Sequence, residues 1–188
     1  IATIQDFLKI PVHYYVVADW QGFIRMVDAL GGVDLHVEAD MRYEDPYANL
    51  KIDLKKGFQH LNGHQAGQYV RFRHDEMGDI GRVARQQKFL KALATQAIRP
   101  GNLIRIPQIL AIVRESVQTN MTPWTFQQVF VAIPSLKGNQ IQSDMIPGNF
   151  ANIGGVSYWA PDRTETAKVV NRLFVAPPGV KPDDGEKK

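Results

Sequence analysis

At 188 residues and 44% hydrophobic composition, the chain is long enough to bury one substantial core, and its length favours a single domain. Its 22 lysines and arginines against 19 aspartates and glutamates leave a net charge of +3, too mild for sequence-independent nucleic-acid binding, which needs a concentrated basic face; no nucleic acid is expected as a partner. The lack of cysteine removes disulfides, thiolate zinc sites and thiol nucleophiles, and no apolar run reaches the roughly 20 residues that cross a bilayer, so any membrane attachment is expected outside this chain.

The sequence opens on Ile1 with IATIQDFL, a helix-like segment without a cap or start signal, which reads as a fragment of something longer. After Pro11, VHYYVVAD has the β-branched and aromatic composition of a buried strand, and Asp19 stands where a helix N-cap belongs. Phe23, Met26, Val27 and Leu30 recur at helical spacing, Gly31-Gly32 supplies a left-handed stop, and VDLHV follows as a strand. Strand, helix, strand predicts α/β architecture. Residues 38–57 read as a loop or short hairpin with LKIDL as the alternating stretch, and Asn62 caps a short helix, GHQAGQYV, that delivers the chain to Arg71.

Gly78 to Gly81 breaks the backbone before a second helix over about 82–98, with Val83, Leu90, Leu93, Ala94 and Ala97 as its apolar stripe. Pro107 and Pro123 each fit a first helical turn, Pro123 behind a Thr122 cap, and WTFQQVFVAI is apolar enough to be largely buried. IQSDM reads as a strand, FANI and VSYW as a hairpin around Gly154-Gly155, and Asp162 as the cap of a final helix through Phe174. The end, APPGVKPDDGEKK, is rich in Pro, Gly and charge and reads as a disordered tail over 177–188.

The densest polar stretch is Tyr69 to Gln87, YVRFRHDEMGDIGRVARQQ. An extended Arg71-Phe72-Arg73 points two guanidinium forks to one side, and such forks match oxyanion geometry. Asp79, Arg82 and Gln86 lie at i, i+3 and i+7, so a helix starting near Asp79 carries all three on one stripe beside its N-terminus, where free N–H groups favour a phosphate. Arg85 is rotated off that stripe and should meet a carboxylate. The plainer reading makes Asp79 an N-cap paired with Arg82 and leaves Arg71 and Arg73 solvated; four arginines within fifteen positions, however, repel one another unless an anion or carboxylates are supplied.

His74, Asp75 and Glu76 are adjacent and do not converge on one metal without special loop geometry. His13, His36, His60 and His64 lack partners at ligand spacing and read as packing or surface residues. There is no G-x-S-x-G, P-loop or dinucleotide fingerprint. The apolar positions of VHYYVVADWQGFIRMVDAL suit either an ordinary core or the wall of a groove for a lipid chain, and periodicity does not separate the two.

The runs IPVHYYVVADWQGFIRMVDALGGVDLHV and LKKGFQHLNGHQAGQYVRFRHDEMGDIGRVARQQKFLKAL, above all LNG-x-x-A-x-x-YVRFRHD followed by GDIGR-x-x-RQQ, resemble the LytR-CpsA-Psr family of bacterial cell-wall assembly proteins, strongly over residues 1–98 and loosely beyond. The resemblance implies a central mixed β-sheet flanked by helices in three α-β-α layers, with the catalytic domain spanning 1–176. It implies a phosphotransferase that takes a glycopolymer from a polyprenyl diphosphate carrier and joins it to a peptidoglycan hydroxyl, at the extracytoplasmic face of the bacterial membrane. Arg71, Arg73 and Arg82 then contact the diphosphate, with Gln86 in the same pocket, Arg85 beside it and Asp79 as base or arginine-orienting group. An apolar tunnel holds the prenyl chain, and Mg²⁺ is the implied cofactor. Family members carry further N-terminal strands, metal-coordinating aspartates and another arginine that do not occur here, so the expected site is incomplete, with no metal ligand in this chain. The rival reading is a noncatalytic module that binds anionic glycopolymer or polyprenyl diphosphate lipid through the same arginines.

Overall fold

The computed structural model describes residues 1–75, 78–97, 99–103, 105–132 and 142–175. It divides into two units, one of Ile1–His13 with the chain from Gln142 onward, the other of Tyr14–Ile141. The tail expected over 177–188 lies outside the described residues.

In the larger unit, β1 (Val16–Ala18) leads into α2 (Trp20–Ala29), which follows α1 (Ala2–Leu8) in the chain. The Asp19 carboxylate accepts from the Gly22 N–H at 2.6 Å and so starts α2 as its spacing predicts. Gly31 and Gly32, at φ 79° and 82°, end it and turn the chain into β2 (Val33–Val37). β3 (Met41–Asp45) and β4 (Leu50–Leu54) form a hairpin, and β5 (Gly57–Leu61) returns antiparallel to β2. Asn62 then caps α3 (Gly63–Arg71) in a full capping box with Gln65. Asp28 secures that junction by accepting from the Gly63 N–H at 2.7 Å.

α4 (Gly78–Ala97), α5 (Pro100–Leu103) and α6 (Ile106–Ser116) precede β6 (Val117–Thr119), which pairs with β1; α7 (Pro123–Ala132) follows. α2 lies against α3 and α6, and α4 against α3 and β2. Between them a core closes on Val27, Val33, Leu54, Leu61, Tyr69 and Phe89. Tyr69 is fully buried, and its hydroxyl donates to Glu38 at 2.9 Å. Burial pushes this phenol up, and the adjacent Glu38 carboxylate pushes the same way. Burial also raises Glu38, but the Lys88 ammonium, its own backbone N–H and the Tyr69 hydroxyl together hold it below its ordinary value.

The smaller unit pairs α1 with α8 (Arg163–Val170), which Asp162 caps through the Thr164 and Glu165 N–H groups and a π-helical turn at Asn171–Val175 extends. The hairpin of β7 (Gly148–Ile153) and β8 (Val156–Pro161) turns at Gly154-Gly155 as expected, with Phe150 edge-on to Trp159. Helices and strands mix as an α/β chain requires, and the described strands pair antiparallel in four two-stranded ladders.

Several sequence expectations need correction. VHYYVVAD is not a buried strand: only Val16–Ala18 is extended, and all three are exposed because β6 is their one strand partner among the described residues. Of the two readings of residues 38–57 the hairpin holds, with LKIDL as β4, but β5 was not expected, because Phe58 faces solvent and the strand carries little hydrophobic signal. α4 starts at Gly78, four residues before Arg82, with Gly81 inside it. Its inward face is Gly81, Arg85, Phe89 and Gln96, which leaves Leu90, placed in the apolar stripe, 59% exposed. Gln142–Met145 is not a strand, and Asp144 instead pairs with Arg172; Ile141 lies outside the described residues. Among the described side chains of α7, Trp124 and Val129 are exposed rather than buried.

Two measurements test this packing. A Cβ at position 63 would lie 2.3 Å from the Ile24 carbonyl oxygen, so Gly63→Ala is expected to cost about 1–3 kcal/mol, read as a lower midpoint in urea. Because Glu38 is lowered in the fold, its contribution is complete above its ordinary value of 4.5 and is lost as pH falls through the lowered one. Glu38→Gln should therefore flatten stability against pH below that value, and an unaltered acid limb would contradict the Glu38–Lys88–Tyr69 linkage.

Candidate active site

The site is built where α3 ends and α4 begins. Phe72, at φ −60° and ψ 131°, breaks the helix into extended backbone, so Arg71 and Arg73 flank it and line the same cavity of about 390 Å³. Arg82 and Gln86, one turn apart on α4, line it from the other side, with Val70 and Val83 between. The predicted convergence of Arg71, Arg73, Arg82 and Gln86 is therefore a feature of this structure.

Three of these side chains have a distinct support. The Arg71 guanidinium lies 4.8 Å over the Trp20 ring. Trp20 in turn lies across α3 where residue 67 is glycine; a Cβ there would sit 2.4 Å from the indole. Arg82 pairs with Asp79 at 3.2 Å, and the Gln86 amide donates to the Val70 carbonyl at 3.3 Å. Arg73 is exposed, and neither it nor Arg71 has a carboxylate partner among the described residues. Asp79 stands outside the lining, tied to the cavity through Arg82.

Arg85 meets a carboxylate, as its rotation on the helix predicts, and its expected place among the diphosphate-binding residues is corrected: it does not line the cavity. It is 7% exposed, bonds to Asp75 and donates to the Phe72 carbonyl at 2.5 Å. A buried guanidinium thereby ties α4 to the turn that carries Arg71, Arg73 and His74. His74 stacks on Tyr43 with ring centroids 4.8 Å apart, and both line the cavity with Asp45, Ala48 and Leu50 of the β3–β4 hairpin. Sequence reasoning missed this hairpin wall, because the pairing of positions thirty residues apart leaves no local pattern.

The His74–Asp75–Glu76 metal reading dissolves here. His74 stacks, Asp75 serves Arg85, and Glu76 lies outside the described residues. Three guanidiniums facing one carboxylate repel a dication, and the described residues bring no three His, Asp or Glu together. These residues do not fit Mg²⁺. His60 bonds to Asp34 at 2.6 Å and is a surface residue; Arg99 shares that carboxylate at 2.8 Å, and the two donors hold Asp34 below its usual range. Of the two readings of Tyr14 to Leu30, the α2 part is core, with Ile24, Val27 and Leu30 buried, while Tyr14, Tyr15, Val16, Val17 and Trp20 are exposed.

An arginine-lined cavity at a helix junction has the donor chemistry that suits an anion, and similarity to known proteins gives the family of the chain. The chain belongs to the LytR_cpsA_psr family, whose model matches residues 1–174. It is 34% identical over 180 residues to the polyisoprenyl-teichoic acid–peptidoglycan teichoic acid transferase TagV of Bacillus subtilis (strain 168), covering 92% of this chain and 45% of that protein. It is 39% identical over 121 residues to the regulatory protein MsrR of Staphylococcus aureus (strain COL), covering 63% of this chain and 36% of that one. The chain thus spans less than half the length of these curated relatives. The crystal structure of B. subtilis TagV superposes with TM-score 0.74 at 28% identity, over 93% of this chain and 69% of that one. B. subtilis TagT gives 0.70 at 25%, over 92% and 64%.

Asp75 is exposed but its partner Arg85 is buried, so removing the carboxylate leaves a buried charge uncompensated. Asp75→Asn is expected to destabilise the protein by about 1–3 kcal/mol, and Arg85→Lys to lose stability as well, because a single ammonium nitrogen does not reproduce the planar guanidinium that places one nitrogen on Asp75 and another on the Phe72 carbonyl. Thermal unfolding checks both, and wild-type midpoints would contradict the tie.

Proposed function

We propose that this chain supplies the diphosphate-binding wall of a phosphotransferase of cell-envelope assembly, which moves a glycopolymer from a polyprenyl diphosphate carrier to a peptidoglycan hydroxyl on the extracytoplasmic side of the membrane. The observation that carries this reading is the meeting of Arg71, Arg73, Arg82 and Gln86 on one cavity, with Arg71 and Arg73 free of carboxylates among the described residues. Such forks bind phosphoryl oxygens in two-point fashion. Membership of the LytR_cpsA_psr family and the likeness to TagV, whose name states a transfer of teichoic acid to peptidoglycan, support the substrate class.

In the proposed reaction the acceptor hydroxyl oxygen attacks the phosphorus that bears the glycopolymer. A new P–O bond forms, the bridging P–O bond breaks, polyprenyl phosphate leaves, and the hydroxyl proton passes to a base. Negative charge grows on the phosphoryl and leaving oxygens, where fixed guanidiniums stabilise it without reorganising. Arg71, pre-set on Trp20, and Arg82, pre-set by Asp79, are held in place before substrate arrives. The 3.2 Å pair favours arginine orientation as the role of Asp79. When bound, Mg²⁺ supplies charge neutralisation of the diphosphate; its ligands would come from outside the described residues, and no step above depends on it.

No described helix is long and apolar enough to cross a membrane, so membrane attachment through a segment outside this chain is part of the proposal. Arg71→Ala or Arg73→Ala in the full-length protein is expected to lower glycan transfer from a polyprenyl diphosphate donor by more than about tenfold with little change in folding. Near-wild-type transfer by either variant would sink the reading, and substrate binding without any turnover in the wild type would make the protein a noncatalytic lipid or glycopolymer binder.

A further inference from the structure

The sequence contains one Asn-Gly step, Asn62-Gly63, and it stands at the start of α3. Asn-Gly is the dipeptide most open to spontaneous deamidation, because glycine has no side chain to hinder attack by its own backbone nitrogen on the preceding amide. In that reaction the Gly63 nitrogen gives up its proton and bonds to the Asn62 side-chain carbonyl carbon. The bond to the side-chain nitrogen breaks, and ammonia leaves with the proton. The five-membered imide then takes up water. Opening on one side gives aspartate; opening on the other gives isoaspartate, in which the main chain runs through the former side chain and is one carbon longer.

Both reacting groups are engaged in the fold. The Gly63 N–H donates to the Asp28 carboxylate of α2 at 2.7 Å, and an adjacent negative charge holds a proton on nitrogen. The Asn62 side-chain oxygen accepts from the Gln65 N–H at 2.9 Å, while the Gln65 side chain returns to the Asn62 N–H at 3.1 Å, which fixes the amide over the helix start. Gly63 is buried, and a Cβ on it would lie 2.3 Å from the Ile24 carbonyl oxygen, so α2 closes over the nitrogen that has to move. Asn62 itself is exposed to water.

We propose that Asn62-Gly63 is a deamidation site gated by Asp28, closed while α3 is seated on α2 and reactive when the two part. Its two products differ in consequence. Aspartate at position 62 keeps an oxygen for the cap, and its charge suits a helix N-terminus. Isoaspartate adds a main-chain carbon where Gly63 has no room against Ile24, so α3 does not reseat, and α3 is the helix that ends on Arg71. The site is a covalent record of α3 opening, whatever the arginines bind.

Trypsin cleavage after Lys56 and Arg71 isolates the site in one peptide with no other asparagine, so mass spectrometry of that peptide reads it directly. The full-length protein is incubated folded in mildly alkaline buffer, beside the free peptide. Folded wild type is expected to deamidate at least about tenfold more slowly than the peptide, and Asp28→Asn, folded by circular dichroism, about fivefold or more faster than folded wild type, since a hydrogen bond to a charged acceptor is lost. Hydrogen exchange at the Gly63 N–H should accelerate in that variant while the β2–β5 ladder stays protected. Should Asp28→Asn not fold, wild type in urea below its unfolding transition gives the same test: deamidation rises in step with exchange at Gly63. A folded wild type that reacts as fast as the free peptide, a folded Asp28→Asn with the wild-type rate, or a rate in urea that follows global unfolding alone would overturn the proposal.

Discussion

The buried guanidinium of Arg85 is the interaction on which the site depends. It sits inside the core face of α4 and bonds to Asp75 and to the Phe72 carbonyl, so the helix and the turn before it cannot move independently. That turn carries Arg71, Arg73 and His74; the helix carries Arg82 and Gln86. One buried charge therefore links the two groups of residues that line the cavity. Such a charge is costly to desolvate, and in this geometry Asp75 and a backbone carbonyl together offset much of that cost. Hydrophobic residues of similar size would pack without holding the turn in register.

Around this tie the molecule keeps like charges apart by different means. Arg82 has Asp79, Arg85 has Asp75, and Arg71 lies on the Trp20 ring, where an aromatic face attracts the cation without neutralising it. Arg73 is left to solvent. The β3–β4 hairpin adds aromatic surface and one carboxylate, so the cleft is not uniformly basic.

Much of this was legible in the sequence where the physics is local. Asp19, Asn62 and Asp162 cap the helices they precede, and Gly31-Gly32 ends α2, because capping and left-handed turns depend on neighbours a few positions away. The helical spacing of Arg82 and Gln86, and the divergence of Arg85 toward a carboxylate, could likewise be read from 3.6-residue geometry. Reading failed where burial is decided at a distance. Leu90 looked like core and is exposed, since Arg85 and Phe89 claim the inward face; β5 was missed because its Phe58 points outward. The hairpin wall of Tyr43 and Asp45 could not be assigned, as only the fold brings it to His74.

The account stands most directly on where a diphosphate binds. A crystal of the full-length protein soaked with geranyl diphosphate should show both phosphates within hydrogen-bond reach of Arg71, Arg73 and Arg82, about 2.7–3.2 Å from the guanidinium nitrogens. Density for the phosphates elsewhere, with those three arginines in contact only with water, would contradict it.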